Sequence, residues 1–430
     1  MVTFSVITFG CKVNQGESEN IISAMMERGY TFLDSNSKAD ISIINSCTVT
    51  AESDRKLRQF IHKVRRETPN AIIVLTGCMP QAFPEAAAKL SDVQIVVGNQ
   101  NKQLIPQLIE EYIENQKNIF SVNDISNQKV FEDRPKNFFS GRFRAFLKIQ
   151  DGCDRFCSYC IIPYARGRIR SKTLESIERD AISLSQNGYK EIVLTGINLS
   201  SYGKDLGITL ENAIEKISNI PGIERIRLGS LEPDLVTPKF VEFVSRENKF
   251  CPQFHLSLQS GSDEILRKMR RRYTKTQYLE LVKLIRSKIP NVTFTTDFMV
   301  GFPGETDKHF EESLELISEV KFLKVHVFPY SPRPGTMAAN FDNQIEKSVK
   351  INRVRKAIEI SHKNSKIILD GFVNCEMKVL YENFDSGFYK GHTMNYIPVK
   401  VKSDVDIRGQ ILSTTLTHNN GECFEGILTN

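Results

Sequence analysis

Three cysteines in the run Asp151-Gly152-Cys153-Asp154-Arg155-Phe156-Cys157-Ser158-Tyr159-Cys160 constrain this chain more than any other feature, because one short loop must present three thiols together. The run follows an apolar stretch at residues 145–149, which places the loop at the end of a strand. Three thiolates suit a four-iron cluster and leave one iron open for chemistry. A zinc knuckle is the plainer alternative, but zinc wants a fourth ligand and no histidine lies close by in the sequence. Cys11, Cys47 and Cys78 each follow another apolar run and form a candidate second three-thiolate site. Small buried core residues are the alternative for these three.

A chain of 430 residues with 40% apolar content is too long for one ordinary domain and rich enough for two or three cores. Nine cysteines, an odd number scattered over the whole length, argue for reduced or metal-bound thiols rather than a disulfide framework. The chain shows no membrane-length apolar run, and its start lacks the pattern of a secretory signal, so a cytoplasmic protein is expected. A net charge of +6 permits a polyanionic partner without requiring one.

In the first hundred residues, strand-like runs at 4–9, 41–44, 72–75 and 94–97 alternate with helical patterns. Residues 20–30 place Ile21, Ile22, Met25 and Met26 on one face, and residues 52–66 do the same with Leu57, Phe60, Ile61 and Val64. The pattern predicts a doubly wound α/β sheet. Ligands of such sheets collect beyond the carboxyl ends of the strands, where the three early cysteines fall. Residues 117–139 are polar and aperiodic and read as a linker between residues 1–116 and a second unit at 140–368. In that unit, strand candidates at 145–149, 192–195, 225–228, 254–258, 294–299 and 325–328 predict an incomplete parallel barrel of six β/α units. A strongly basic helix is expected over residues 346–366, carrying Lys347, Lys350, Arg353, Arg355, Lys356, Lys363 and Lys366. Residues 369–430, with strand-like runs at 377–381, 396–401 and 411–412 between turn glycines, predict a small all-β barrel.

The CxxxCxxC run resembles the radical S-adenosylmethionine (SAM) signature. Three further runs resemble the methylthiotransferase family within that superfamily: Ile162-Pro163-Tyr164-Ala165-Arg166-Gly167-Arg168, Leu256-Ser257-Leu258-Gln259-Ser260-Gly261, and Thr296-Asp297-Phe298-Met299-Val300-Gly301-Phe302-Pro303-Gly304-Glu305-Thr306. The resemblance covers almost the whole chain. It implies an N-terminal methylthiotransferase domain, a radical-SAM partial barrel and a C-terminal TRAM-like domain. The opening Thr8-Phe9-Gly10-Cys11-Lys12-Val13-Asn14-Gln15 looks most like the branch that acts on threonylcarbamoyladenosine in tRNA.

The resemblance implies two [4Fe-4S] clusters, one on Cys11, Cys47 and Cys78 and one on Cys153, Cys157 and Cys160, with SAM consumed as two equivalents per turnover. Tyr159 matches the aromatic that packs near the SAM adenine. The loops carrying Gly196, Asn198, Ser230, Glu232, Gln259 and Ser260 are expected to hold the rest of SAM. The reaction implied is replacement of the C2 hydrogen of threonylcarbamoyladenosine, beside the anticodon, by a methylthio group. An anticodon stem-loop is the expected partner, and a flavodoxin or ferredoxin the expected electron donor. Sister branches act on isopentenyl-adenosine in tRNA or on a ribosomal-protein aspartate. An iron–sulfur RNA-binding module without turnover is the non-enzymatic alternative.

Cys251, Cys375 and Cys423 match no ligand position and read as packing residues, and the seven histidines show no metal spacing. Gly301 and Gly304 either shape a turn or approach SAM. Arg267, Lys268, Arg270, Arg271 and Arg272 read as a solvated helix face or as phosphate contacts. Residues 371–430 hold five Lys and Arg against seven Asp and Glu, so RNA contact there must come from a local patch or from Phe388, Tyr389 or Tyr396.

Overall fold

The computed structural model of the protein describes residues 2–34, 37–133 and 143–429. Residues 134–142, which hold the end of the expected linker and the start of the expected central unit, lie outside the described residues.

The N-terminal sheet is six-stranded and wholly parallel, in the order β2-β1-β3-β4-β5-β6. Its strands are Thr3–Thr8 (β1), Thr31–Leu33 (β2), Ile41–Ser46 (β3), Ile72–Gly77 (β4), Ile95–Val97 (β5) and Ile119–Ser121 (β6). The chain reverses its winding between β1 and β3, so the crevice of the doubly wound sheet opens there. β6 falls inside the stretch read as linker; three residues at a sheet edge carry too short a pattern to register as a strand.

The first helix, Lys12–Glu27, begins eight residues earlier than its apolar period suggested. Its first turns bury Asn14, Glu17 and Ser18, polar side chains that a hydrophobic pattern cannot see. Met26, expected in the core, is exposed, while Ile21 and Met25 are buried.

Six strand positions of the central unit wrap in order: Arg144–Lys148 (β7), Glu191–Thr195 (β10), Arg225–Leu228 (β11) continued by Ser230–Leu231 (β12), Gln253–Leu256 (β13), Thr293–Val300 (β14) and Lys324–Pro329 (β15). The intervening β8 (Gln150–Asp151) and β9 (Arg170–Ser171) form a two-stranded ribbon beside the cysteine loop. All pairings among the barrel strands β7 and β10 to β15 are parallel, whereas the β8–β9 ribbon is antiparallel. The strand splits at Gly229, so β7-β10-β11 and β12-β13-β14-β15 form two hydrogen-bonded sheets. This is the expected incomplete barrel, and its largest apolar core lies between these strands and the surrounding helices.

The last five strands close into a barrel in the order β16-β17-β18-β20-β19: Glu376–Asp385, Phe388–Thr393, Pro398–Val401, Phe424–Leu428 and Ile411–Asn419. It plugs the N-terminal mouth of the central barrel. Arg225 donates to the carbonyls of His392 and Lys378 at 2.9 and 2.8 Å, Arg227 to that of Met394 at 3.0 Å, and the Thr293 hydroxyl to that of Asn395 at 2.5 Å. Among the described residues, no helix is long and apolar enough to cross a membrane.

Candidate active site

Cys47 and Cys78 directly follow β3 and β4, and Cys11 lies three residues past β1, so parallel pairing brings three distant cysteines to one sheet edge. Asn14 ties them together. Its amide donates to the Phe9 carbonyl at 3.0 Å and to the Ser46 carbonyl at 3.1 Å, pinning the residues before Cys11 and Cys47, and the Cys11 thiol lies 3.6 Å from its Oδ1. Burial, reinforced by the neighbouring Cys78 sulfur, pushes the Cys47 thiol up to about 12. A metal must displace that proton to bind.

The second set sits on the loop after β8. Gly152 has φ +74°, and a Cβ there would meet the Arg168 carbonyl at 1.8 Å, so the loop presses against the backbone of the Ile162-to-Arg168 run. The Cys153 N–H donates to the Gly167 carbonyl at 3.0 Å, and that of Cys160 to the Cys157 carbonyl at 3.0 Å. Ser158 anchors the loop on Lys268 and Met269 through its hydroxyl and N–H. Burial raises the Cys153 thiol to about 11, and that of Cys160 is also raised.

Among the described residues, no three His, Cys, Asp or Glu side chains are grouped as ligands of one metal ion. A four-iron cluster asks for something else, since each of its cysteines binds a different iron.

The strand ends offer polar atoms with nothing to bind. Thr195 Oγ1, Asn198 Oδ1 and Gln259 Oε1 are buried without a hydrogen-bond partner, and Asn198 Nδ2 lies 3.8 Å from Cys153 Sγ. Open acceptors on Asn198 beside the cysteine loop, and on Thr195 and Gln259 at other strand ends, fit a ligand bearing an ammonium and ribose hydroxyls, as SAM does. Gln259 also holds φ +64°, an uncommon backbone for a side chain of its kind. Tyr159 meets Phe302 edge-on at 6.5 Å, and burial holds its phenol well above the ordinary range, hence neutral. Gly196 packs against Gln150, whose Oε1 accepts from the Asn198 N–H at 2.8 Å. Ser230 is exposed. Ser260 is buried with its hydroxyl 3.5 Å from that of Ser313, which turns it toward the helix Asp307–Val320.

Two arginines that the sequence reading did not place belong to the site. Arg271, grouped with a basic face, is instead buried: it pairs with Glu232 and stands 3.5 Å from Cys157 Sγ. Arg166, only 0% exposed, donates to Cys78 Sγ at 3.3 Å and to Asn14 Oδ1 at 2.7 Å. A charge run hid Arg271 and a motif hid Arg166, because a sequence shows a guanidinium's neighbours along the chain and not those across it.

Arg353 likewise leaves the basic face of its helix, Lys347–Asp370, to pair with Glu305 at 2.6 Å and Asp307 at 2.9 Å. Glu305 accepts from the Gly301 N–H at 2.6 Å, so the glycine run is a turn stapled by that ion pair. Tyr396 stacks on His392 at 4.7 Å and lies under Arg227, which closes its faces to a base. Tyr389 is buried in the barrel core. Of these three candidates Phe388 is left half-buried, with Lys400 and Lys402 over its ring at 4.7 and 5.5 Å. Cys251 is buried in packing, as expected, whereas Cys375 is exposed.

The radical SAM superfamily profile matches residues 147–317, and that of the uncharacterized protein family UPF0004 matches residues 3–98. The chain is 36% identical over 423 residues to threonylcarbamoyladenosine tRNA methylthiotransferase MtaB of Bacillus subtilis, covering 97% of this chain and 94% of that protein. It is 39% identical over 403 residues to the protein of the same name from Thermotoga maritima, covering 92% and 91%. It is also 36% identical over 440 residues to tRNA-2-methylthio-N(6)-dimethylallyladenosine synthase of Pelotomaculum thermopropionicum, covering 100% and 98%. Among solved structures, the radical SAM methyltransferase TsrM of Kitasatospora setae superposes with a TM-score of 0.59 at 15% identity, covering 79% of this chain and 77% of that one, a likeness of fold alone.

Proposed function

Because the chain belongs to the radical SAM tRNA methylthiotransferases, we propose that it converts threonylcarbamoyladenosine beside the anticodon to its 2-methylthio derivative. Cys153, Cys157 and Cys160 would hold the SAM-binding cluster, which supplies a deoxyadenosyl radical by one-electron cleavage of SAM. Thr195, Asn198 and Gln259 would orient SAM, with Tyr159 walling off the adenine side and Arg271 fixing Glu232 beside Cys157. Cys11, Cys47 and Cys78 would hold a second cluster where sulfur and methyl are joined, so two SAM molecules are used per turnover. A flavodoxin or ferredoxin in the cytoplasm would provide the electron.

The observation that carries this reading is the presence of two strand-end cysteine triads in one molecule, each with a buried arginine at one sulfur. Substrate choice rests on Lys12. Its ammonium lies 6.0 Å from the Phe146 ring centre, within electrostatic reach of Tyr396, Arg144 and Arg227, and of Asp297 and His326. Asp297 is itself 3.2 Å from His255. A polar, charged wall suits a substituent bearing a carboxylate and a hydroxyl, and it leaves donors unpaired against an isopentenyl group.

The test is mass spectrometry of reactions with three anticodon stem-loops, carrying threonylcarbamoyladenosine, isopentenyl-adenosine or plain adenosine. Methylthiolation of the first is expected. Preference for the second would support the dimethylallyl reading, which the Pelotomaculum relative also favours.

A further inference from the structure

Arg166 is a residue of the central unit placed inside the N-terminal site. It stands six positions after Cys160, at the end of the short helix Ile162–Arg166, yet its guanidinium reaches Cys78 and Asn14 of the other cysteine set. Both of its terminal nitrogens donate to Glu17, and its charge lies 3.5 Å from Asp151, two residues before Cys153.

The surroundings are unusually positive. Lys102 pairs with Glu17; Lys148 pairs with Glu17 at 2.7 Å and Asp151 at 2.6 Å; Arg170 lies 3.5 Å from Asp151. Three buried cations, Arg166, Lys102 and Arg170, and the half-buried Lys148 thus face two carboxylates. Two positive charges in excess, out of water, are costly unless an anion balances them. The adjacent group that can do so is the thiolate set, since a four-iron cluster on three thiolates carries one negative charge when oxidised and two when reduced. The imbalance favours the reduced form. A hydrogen bond to a ligand sulfur acts in the same direction, by drawing charge from the thiolate.

We propose that Arg166 is a positioning residue for the N-terminal cluster: it holds the Cys78 sulfur, raises that cluster's reduction potential, and fixes its distance from the Cys153 loop. The inference rests on the reading of Cys11, Cys47 and Cys78 as cluster ligands.

The experiment uses the full chain with Cys153, Cys157 and Cys160 changed to Ala, reconstituted anaerobically so that only the N-terminal site is loaded. Its midpoint potential is read by electron paramagnetic resonance during a potentiometric titration, in that parent and with Arg166→Gln, Arg166→Lys or Glu17→Gln added. Arg166→Gln should lower the potential, Arg166→Lys should recover part of the loss, and Glu17→Gln should raise it. An Arg166→Gln protein that binds the parent's complement of iron and titrates at the parent's potential overturns the proposal alone. If Arg166→Gln does not fold, an unchanged or lowered potential in Glu17→Gln overturns it. A folded parent that binds no iron overturns the cluster reading, and the proposal with it.

Discussion

Arg271 and Cys157, 114 residues apart, meet at 3.5 Å because the turn after the helix Asp263–Lys268 folds under the cysteine loop. The same guanidinium clamps Glu232, so one buried cation joins the thiolate loop to the end of β12. Arg271→Ala would leave Glu232 unpaired beside a negatively charged ligand set. Deoxyadenosine formation should fall about 10–100-fold, as for other residues that orient metal ligands. Iron content and SAM-cleavage assays on the reconstituted variant check this, and Arg271→Lys should restore only part of it, since a lysine cannot make the forked contact.

The two cysteine sets should separate in function. Changing Cys153, Cys157 and Cys160 together to Ala should abolish reductive SAM cleavage while iron still binds at the N-terminal site. Cys47→Ala should keep deoxyadenosine formation and lose methylthiolated product. Iron analysis together with mass spectrometry of both products distinguishes the sites; normal methylthiolation by the Cys47 variant would reduce that site to packing.

Docking of the terminal barrel should weaken in acid. Burial alone would raise the Glu191 carboxyl, but Arg227, helped by Arg144 and Arg225, holds it at about 2 instead of 4.5. A depressed carboxyl stabilises the fold above its unfolded value, and that contribution, about 3 kcal/mol, is lost as pH falls from about 4.5 toward 2. Urea unfolding at pH 7, 4.5 and 3 should show the loss in the wild type. Glu191→Gln should be less stable at pH 7 and lose less on acidification.

Contact with tRNA through the terminal barrel should centre on Phe388. Phe388→Ala should weaken stem-loop binding by about 1–3 kcal/mol if a base stacks there. Lys402→Ala should lower the slope of log affinity against log salt by about 1. Fluorescence anisotropy across a salt series measures both, and deoxyadenosine formation without RNA should be unaffected.

Patterning along the chain was enough to read the longer elements and their order, though not the short strands β2, β6, β8 and β9. Apolar runs followed by helical periods dictated two parallel units, because strands buried on both faces must be continuously hydrophobic. The CxxxCxxC spacing dictated a three-thiolate loop, since those residues are neighbours along one short segment. It also placed Cys11, Cys47 and Cys78 at strand ends. What it could not show was that β1, β3 and β4 lie side by side, which register and winding decide. The polar start of the first helix escaped for a related reason: Asn14 and Glu17 are buried by hydrogen bonds and ion pairs whose partners lie far along the chain. Three-dimensional packing settled that Arg166 reaches the other domain's cysteines, that Arg271 and Arg353 are interior, and that Tyr396 is covered by His392 and Arg227. A charge is free or paired according to what packs against it, and that is a property of three-dimensional neighbours rather than of local pattern.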